Sequence, residues 1–93
     1  MIKRFQIAGK KYKIKYGPTD SDCVGTCCVP LCEIVIREVF DGKKIPEDTK
    51  EQTLYHEVVH AIFQELGREE LYKDEQLVQS FSLLLHQFAK TAK

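Results

Sequence analysis

Alternation of apolar and polar residues dominates the beginning of the chain and predicts a β-hairpin. A period of two is typical of strands that bury one face. Two such runs flank Ala8-Gly9-Lys10, and Gly17-Pro18 should end the second strand. The alternating apolar positions are Phe5, Ile7, Tyr12, Ile14 and Tyr16.

The following segment divides into an aperiodic part and an apolar part. Residues Thr19 to Pro30 show no clear period and are interpreted as a loop. The run from Cys32 to Phe40 is β-branched and apolar, which predicts a third strand that Asp41-Gly42 closes with a turn.

Helical periodicity replaces alternation in the second half of the chain. The first helix should begin either at Pro46, because proline suits a first turn, or at a capping box formed by Thr49 and Gln52. Gly67 is a natural C-terminal cap. A second helix should run from about Lys73 to Lys90. The periodic apolar positions are Leu54, Val58, Ala61, Ile62 and Leu66 in the first helix and Leu77, Val78, Phe81, Leu84, Leu85 and Phe88 in the second.

The order of elements is three strands followed by two helices, which predicts an α+β fold. We expect a small three-stranded sheet, antiparallel or mixed, with the helices on one face. A length of 93 residues suits one compact domain, so residues 1–93 are interpreted as a single unit.

Charge and composition argue against several classes of partner. Fourteen Lys and Arg balance fourteen Asp and Glu, whereas phosphate binding needs a surplus of basic side chains, so nucleic acid is not expected. No apolar run approaches the length of a membrane span, and residues 1–13 are too polar for a signal peptide. A cytoplasmic protein without a membrane partner is therefore expected, and its oligomeric state stays open.

Residues 56–60 read His-Glu-Val-Val-His and fall in the middle of the first predicted helix. Positions four apart share one helical face, so the imidazoles of His56 and His60 can reach one metal ion. Glu57 projects about 100° round from His56, beside that ion. Zinc lowers the pKa of a bound water and polarises a carbonyl, which makes Glu57 the candidate general base.

A catalytic zinc normally takes three protein ligands, and the first helix offers no third one. Glu75 fits best, because it begins the second helix, which a short connection brings back toward the first. A helix-start carboxylate stabilised by the helix dipole is the alternative explanation of this residue. His86 lies about three turns away and is interpreted as a structural histidine. The candidates considered are Glu69, Glu70, Asp74, Glu75 and His86.

These residues carry a resemblance to a known family. The stretch from Glu51 to Gly67, followed by Asp74-Glu-Gln-Leu-Val78, resembles small HExxH zinc metallopeptidase-like proteins of phages and prophages, which are minigluzincin-like members of the gluzincins. The resemblance covers about residues 32 to 90 and implies a minimal zincin-like domain. The roles that it implies are zinc ligands for His56, His60 and Glu75 and general base for Glu57.

The four cysteines are not part of the pattern of that family, in which the corresponding segment is expected to be variable and poor in cysteine. Structural zinc sites usually use cysteine pairs that are well apart in sequence. The close spacing here predicts plain thiols, which behave as small hydrophobes, rather than a second metal site. A sharper hypothesis is that one thiolate occupies the open position on the zinc and keeps the protein latent. The cysteines are Cys23, Cys27, Cys28 and Cys32.

The sequence favours a zinc-dependent metallopeptidase that hydrolyses a peptide or protein substrate through a zinc-bound water activated by Glu57. The strand from Cys32 to Val39 is expected to pair with an extended substrate, and Tyr72 or Tyr55 to donate to the oxyanion. The alternative is a non-enzymatic zinc-binding interaction module with a structural metal. Water in the fourth coordination position would support catalysis, and a protein side chain there would support the structural role.

Overall fold

The computed structural model describes residues 2–18, 25–28 and 32–93, and these form strands followed by helices, the predicted α+β class. Within those ranges, no helix has the length and hydrophobicity that a bilayer span requires. The strands are β1 (Arg4–Ile7), β2 (Lys10–Tyr16), β3 (Gly25–Cys28), β4 (Glu33–Ile36), β5 (Val39–Phe40) and β6 (Lys43–Lys44). The helices are α1 (Glu47–Glu65), α2 (Glu69–Tyr72) and α3 (Glu75–Thr91).

Strands β1 to β4 form one mixed sheet in the order β1-β2-β4-β3. The predicted hairpin is β1 and β2, and its turn places Ala8 and Gly9 at φ of 53° and 76°. Two consecutive left-handed residues are what a two-residue hairpin turn of the right twist requires. Strand β4 lies between β2, to which it is parallel, and β3, to which it is antiparallel. The edges of this sheet are therefore β1 and β3.

Strand β3 lies where the sequence predicted a loop, and it gives the sheet one strand more than expected. Gly25 is paired with Ile36, and Cys28 with Glu33. The sequence Gly-Thr-Cys-Cys has no apolar alternation that would indicate a strand, so its conformation depends on backbone pairing with β4. Positions 19–24 and 29–30 of the predicted loop lie outside the described residues.

The third strand predicted from Cys32 to Phe40 is divided in two. Strand β4 ends at Ile36, and β5 pairs with β6 in a separate hairpin. Asp41 and Gly42, at φ of 53° and 75°, form the tight turn of that hairpin. The break occurs at Arg37, whose Nε donates to the carbonyl oxygen of Val39 at 3.0 Å.

Helix α1 begins directly after Pro46, so the proline start was the right one of the two predicted alternatives. Thr49 lies inside the helix, where its carbonyl accepts a hydrogen bond from Thr53 Oγ1 at 2.9 Å. The capping box of Thr49 and Gln52 therefore does not form. Glu47 and Asp48 place negative charge in the first turn, where the helix dipole favours it.

The end of α1 is a Schellman motif built on the predicted Gly67 cap. Gly67 has φ of 70°, a conformation that glycine adopts without strain. Its amide donates to the carbonyl of Gln64 at 3.0 Å, and the amide of Arg68 donates to that of Phe63 at 3.1 Å. This double closure stops α1 and reverses the chain toward α3.

The second predicted helix is α3, and the short helix α2 lies in the connection before it. Asp74 caps α3 by accepting a hydrogen bond from the amide of Leu77 at 3.0 Å. This cap determines where α3 begins, and it places Glu75 in the first turn.

Helix α1 lies between two apolar clusters. Ile14, Ile34, Ile36 and Leu54 join the sheet to α1. Val59, Phe63 and Val78 join α1 to α3. Each fully buried aliphatic or aromatic side chain contributes about 1.5 to 3 kcal/mol. Both sides of α1 are thus held by packing, which fixes the direction of the residues between them.

The apolar stripe predicted for the second helix is only partly buried. Val78 is inaccessible to solvent, and the side of α3 that faces α1 also buries Ser82 and His86. The exposed members of the stripe are Phe81 at 47%, Leu84 at 68% and Phe88 at 67%.

Candidate metal centre

The two histidines of the His-Glu-Val-Val-His segment project from the middle of α1, one helical turn apart. Their ring centroids are 5.0 Å apart. His60 is buried and His56 is half-buried. Because α1 is packed on the sheet side and on the α3 side, both imidazoles have a fixed direction toward the start of α3.

Glu75 meets both histidines from the first turn of α3. Its Oε1 lies 2.8 Å from Nε2 of His60, and its Oε2 lies 3.2 Å from Nε2 of His56. The Gly67 cap and the Asp74 cap produce this approach, since they set where α1 ends and where α3 begins.

His56, His60 and Glu75 form a group that can hold a metal ion. One ligand atom from each residue lies within 4.8 Å of the others. Ligands at about 2.1 Å from a tetrahedral ion stand about 3.4 Å apart. The nitrogen-to-oxygen distances of 2.8 and 3.2 Å run to the two different oxygens of Glu75, so each histidine lies against one of them. Two imidazoles and a carboxylate are therefore close enough together to hold one ion.

The other candidates for a third ligand are engaged elsewhere. Glu69 pairs with Lys73 at 2.8 Å, and Asp74 is the cap of α3. His86 is buried, and its Nε2 lies 2.9 Å from Oε1 of Glu51, as a structural histidine would. Glu70 pairs with Arg68.

Gln79 orients the ring of His56 from α3. Its Oε1 lies 2.7 Å from Nδ1 of His56, and an amide oxygen can only accept, so Nδ1 carries the proton. The lone pair of His56 is then on Nε2, the atom that faces Glu75. Histidines that bind metals usually have such a partner on the second ring nitrogen.

Replacing Gln79 by leucine is expected to weaken metal binding by about 10- to 100-fold, because His56 loses the bond that fixes its tautomer. Competition with a chromophoric chelator measures the affinity. Gln76→Leu, an exposed position on the same helix, is the matched control and should bind as the wild type does. Equal affinity in both variants would show that Gln79 does not orient the ligand.

Burial favours the neutral form of His60, which is the form that binds metals. Burial lowers the pKa of His60, and the charge of Glu75 is the largest opposing influence. The ring of Tyr72 packs edge-on to His60 with centroids 4.9 Å apart. His56 also lowers the pKa of His60, and the Tyr72 backbone raises it.

Only one of the two tyrosines considered as oxyanion donors lies beside the group. Tyr72 contacts His60, as described, whereas Tyr55 packs edge-on against His86 with centroids 5.1 Å apart. Tyr55 lines a different, apolar groove on another side of α1. Of the two alternatives, the geometry therefore favours Tyr72.

Glu57 is a buried carboxyl next to the two histidines. It is 8% exposed, and burial raises its pKa to about 7, against the lowering influence of His56. Strand β3 covers it at Gly25, where a Cβ atom would lie 3.2 Å from Oε2 of Glu57 and 2.5 Å from Cγ2 of Thr53. Only glycine lets the strand approach the carboxyl this closely.

In the metal-free protein, Glu57→Gln is expected to raise the free energy of unfolding by about 3 kcal/mol above pH 7. The pKa rises from 4.5 to about 7 on folding, so the folded state binds the proton more tightly. The stability linked to this carboxyl is fully present below pH 4.5 and is lost as the pH rises to about 7. Glutamine does not ionise and avoids that loss.

Urea denaturation with a chelator present, at about pH 4 and about pH 8, measures this effect. The variant should match the wild type at the lower pH and exceed it at the higher. An equal difference at both values would mean that packing, and not ionisation, separates the two proteins.

An open groove of about 580 Å³ contains the metal-binding group and Glu57. Strand β3 contributes Gly25 to this groove, and the preceding turns of α1 contribute polar, uncharged side chains. The described residues that line it include no lysine or arginine. The additional lining residues are Thr49, Gln52, Thr53 and Gln79.

Two residues of this site were not assigned a role from sequence. Gln79 lies one helical turn after Glu75, so its spacing signals a shared face. Gly25 falls in the segment interpreted as a loop, and nothing in its neighbourhood indicates the close approach to Glu57.

The hypothesis that a cysteine thiolate binds the metal concerns side chains that, for the most part, lie outside the described residues. Cys23 and the side chains of Cys27 and Cys28 are not described. Cys32 is a half-buried free thiol in the turn immediately before β4. Its carbonyl accepts from the amide of Lys13 at 2.9 Å, and it is not part of the metal-binding group.

Comparison with known protein families, with curated proteins and with solved structures finds no match. Fold and site define the protein as a small α+β domain with a His-His-Glu group that can hold a metal ion.

Proposed function

We propose that this protein is a zinc-dependent peptidase that hydrolyses peptide bonds, as the resemblance to minigluzincin-like proteins implies. The observation that carries the proposal is the position of the buried carboxyl of Glu57 beside the group formed by His56, His60 and Glu75, in one open groove. A glutamate that is desolvated next to three ligands has a use in acid-base chemistry and none in simple metal binding.

The donor set supports zinc as the ion. Two imidazole nitrogens and one carboxylate oxygen are a common set for catalytic zinc, whereas magnesium and calcium prefer oxygen ligands. When bound, zinc supplies Lewis-acid polarisation of the substrate carbonyl and lowers the pKa of a coordinated water. His56 and His60 would hold it through Nε2, and Glu75 through its carboxylate.

Glu57 would move the proton during hydrolysis. Burial raises the pKa of Glu57 to about 7 in the metal-free protein, and a zinc ion beside it would lower this pKa again. The carboxylate form, which would accept a proton from the attacking water and return it to the leaving amine, is therefore expected at neutral pH. Tyr72, beside His60, is the nearest candidate for an additional donor to the oxyanion. Gln79 would keep His56 in the tautomer that ligates through Nε2.

Strand β3, and not the predicted strand from Cys32 to Val39, is the strand that would pair with an extended substrate. The run from Cys32 to Val39 was expected to bind an extended peptide, but β4 is paired on both sides and offers no edge. Strand β3 is an edge strand, and its Gly25 lines the groove beside Glu57. An extended peptide that pairs with β3 would carry its backbone past that carboxyl.

The composition of the ligand group favours catalysis over a structural metal. A structural zinc is normally closed by four protein ligands, and a catalytic one by three. The side chains that the structure describes bring three such groups together, and they open onto the groove, which is the arrangement that a catalytic zinc would use.

The proposal is tested by incubating the zinc-loaded protein with a mixed-sequence peptide library and detecting new termini by mass spectrometry. Cleavage that a chelator abolishes and zinc restores is the expected result. If the protein binds zinc tightly but cleaves neither the peptide library nor an unfolded protein, the interaction module would be supported instead.

A further inference from the structure

The outer side of α3 carries an apolar ridge that consists of Phe81, Leu84 and Phe88. These positions are three and four residues apart, so their side chains line up on one side of the helix. Leu84 and Phe88 are about two-thirds exposed, and Phe81 nearly half. Contiguous exposed apolar surface of this kind marks a binding surface more often than isolated exposed residues do.

An apolar groove of about 300 Å³ lies next to the ridge, between β1, α1 and α3. Leu85 forms its α3 wall, four residues after Phe81 and three before Phe88, so ridge and groove share one face of the protein. Its lining residues with polar side-chain groups are Tyr55 and Gln6. Its apolar lining includes Ile2, Phe5, Ile7, Val58, Ile62 and Leu85.

Charge is absent from the part of α3 that carries the ridge. Positions 76–89 contain no Asp, Glu, Lys or Arg, although 30% of the whole chain is charged. The solvent face of a surface helix normally carries charges, whereas the core of a protein interface is depleted of them. The composition of α3 is that of an interface helix.

We propose that this face binds a second copy of the chain, with the ridge of each copy seated in the groove of the other around a two-fold axis. A two-fold contact needs both complementary parts on one surface of the same chain. The ridge projects and the groove is concave, and Leu85 joins them. The formal net charge of zero gives no overall repulsion between copies.

The exposed area is adequate for such a contact. With about 200 Å² for each aromatic side chain, the ridge together with the exposed Ile2 and Leu66 offers about 500 Å² of apolar surface per chain. A specific interface buries at least about 500 Å² on each partner. Leu66 adjoins the groove because it follows Ile62 by one turn of α1. An interface at this lower limit of size is expected to give a weak, reversible dimer.

Sedimentation velocity over a concentration series tests the proposal, on the wild-type protein with a phosphine reductant that prevents disulfide cross-links. The wild type should pass from monomer to dimer. Phe88→Glu, in the ridge, and Ile2→Glu, at the groove, should each weaken the dimer at least about tenfold. Both positions are half exposed or more, so the fold is retained. Phe40→Glu, an exposed aromatic outside the face, is the matched control.

Mixing the two interface variants distinguishes reciprocal seating from simple stickiness. The intact ridge of the Ile2→Glu chain can enter the intact groove of the Phe88→Glu chain, so a heterodimer keeps one unaltered contact and a homodimer of either variant keeps none. Native mass spectrometry should therefore detect heterodimers at clearly more than twice the abundance of either homodimer, which is the ratio that random pairing gives. A monomeric wild type at all concentrations, growth beyond dimers, a dimer that the variants leave unchanged, or heterodimers at no more than the random ratio would each overturn the proposal.

Discussion

Glu57→Gln is expected to lower kcat/KM for peptide hydrolysis by about 10² to 10⁴-fold while the metal stays bound. Glutamine occupies the same space beneath Gly25 but cannot take a proton from the attacking water. The three ligand residues are unchanged, so metal affinity should be close to that of the wild type. Turnover and metal content are to be measured on the same sample.

Glu65→Gln is the matched control for this experiment. Glu65 is another nearly buried carboxylate of α1, but it bonds to Tyr12 and Lys10, away from the metal-binding group. Its replacement should cost stability and leave turnover of the folded protein unchanged. Full activity in Glu57→Gln with metal bound would remove the general base from the mechanism. Loss of the metal would instead show that this carboxyl helps to bind it.

A double replacement, His56→Ala with His60→Ala, is expected to weaken zinc binding by more than about 10⁴-fold. Structural zinc sites with four ligands bind with about 10 to 16 kcal/mol, or about 3 kcal/mol for each ligand. Two ligands fewer leave Glu75 alone on α3. Elemental analysis of the purified protein, about one zinc per chain in the wild type and none in the variant, measures the effect.

His86→Ala provides the comparison for that variant. His86 is as deeply buried as His60, but it pairs with Glu51 on the far part of α1. Its loss should lower stability and keep the zinc. If the double variant retained stoichiometric zinc, the proposed centre would be wrong, and the cysteines would be the next candidate ligands.

The parts of the fold that local pattern encodes were predictable. The β1–β2 hairpin follows from alternation and a two-residue turn, and the end of α1 follows from Gly67. Strand β3 was not predictable, because Gly25–Cys28 has no alternation of its own and is a strand only through pairing with β4. The break after Ile36 was not predictable either. Residues on both sides of it have the composition of a strand, and they differ only in their pairing: β4 pairs within the main sheet, and β5 pairs with β6.

The candidate site divides in the same way. His56, Glu57 and His60 are positioned by one helix, so their spacing alone predicts a shared site. Glu75 comes from a second helix, and its approach depends on two caps and on α2, whose combined geometry a sequence does not specify. The cover of Gly25 over Glu57 depends on contacts between distant segments and leaves no local signal.

Helices α1 and α3 both contribute ligands to one metal-binding group, and this affects the stability of the whole domain. An ion bound by His60 and Glu75 closes a chain loop of about fifteen residues, and a covalent cross-link across such a loop is worth about 3 kcal/mol. Domains of this size have a small free energy of unfolding, so a contribution of that size matters. Outward swinging of α3 would require release of the ion, so occupancy of the centre and attachment of the last helix form one equilibrium.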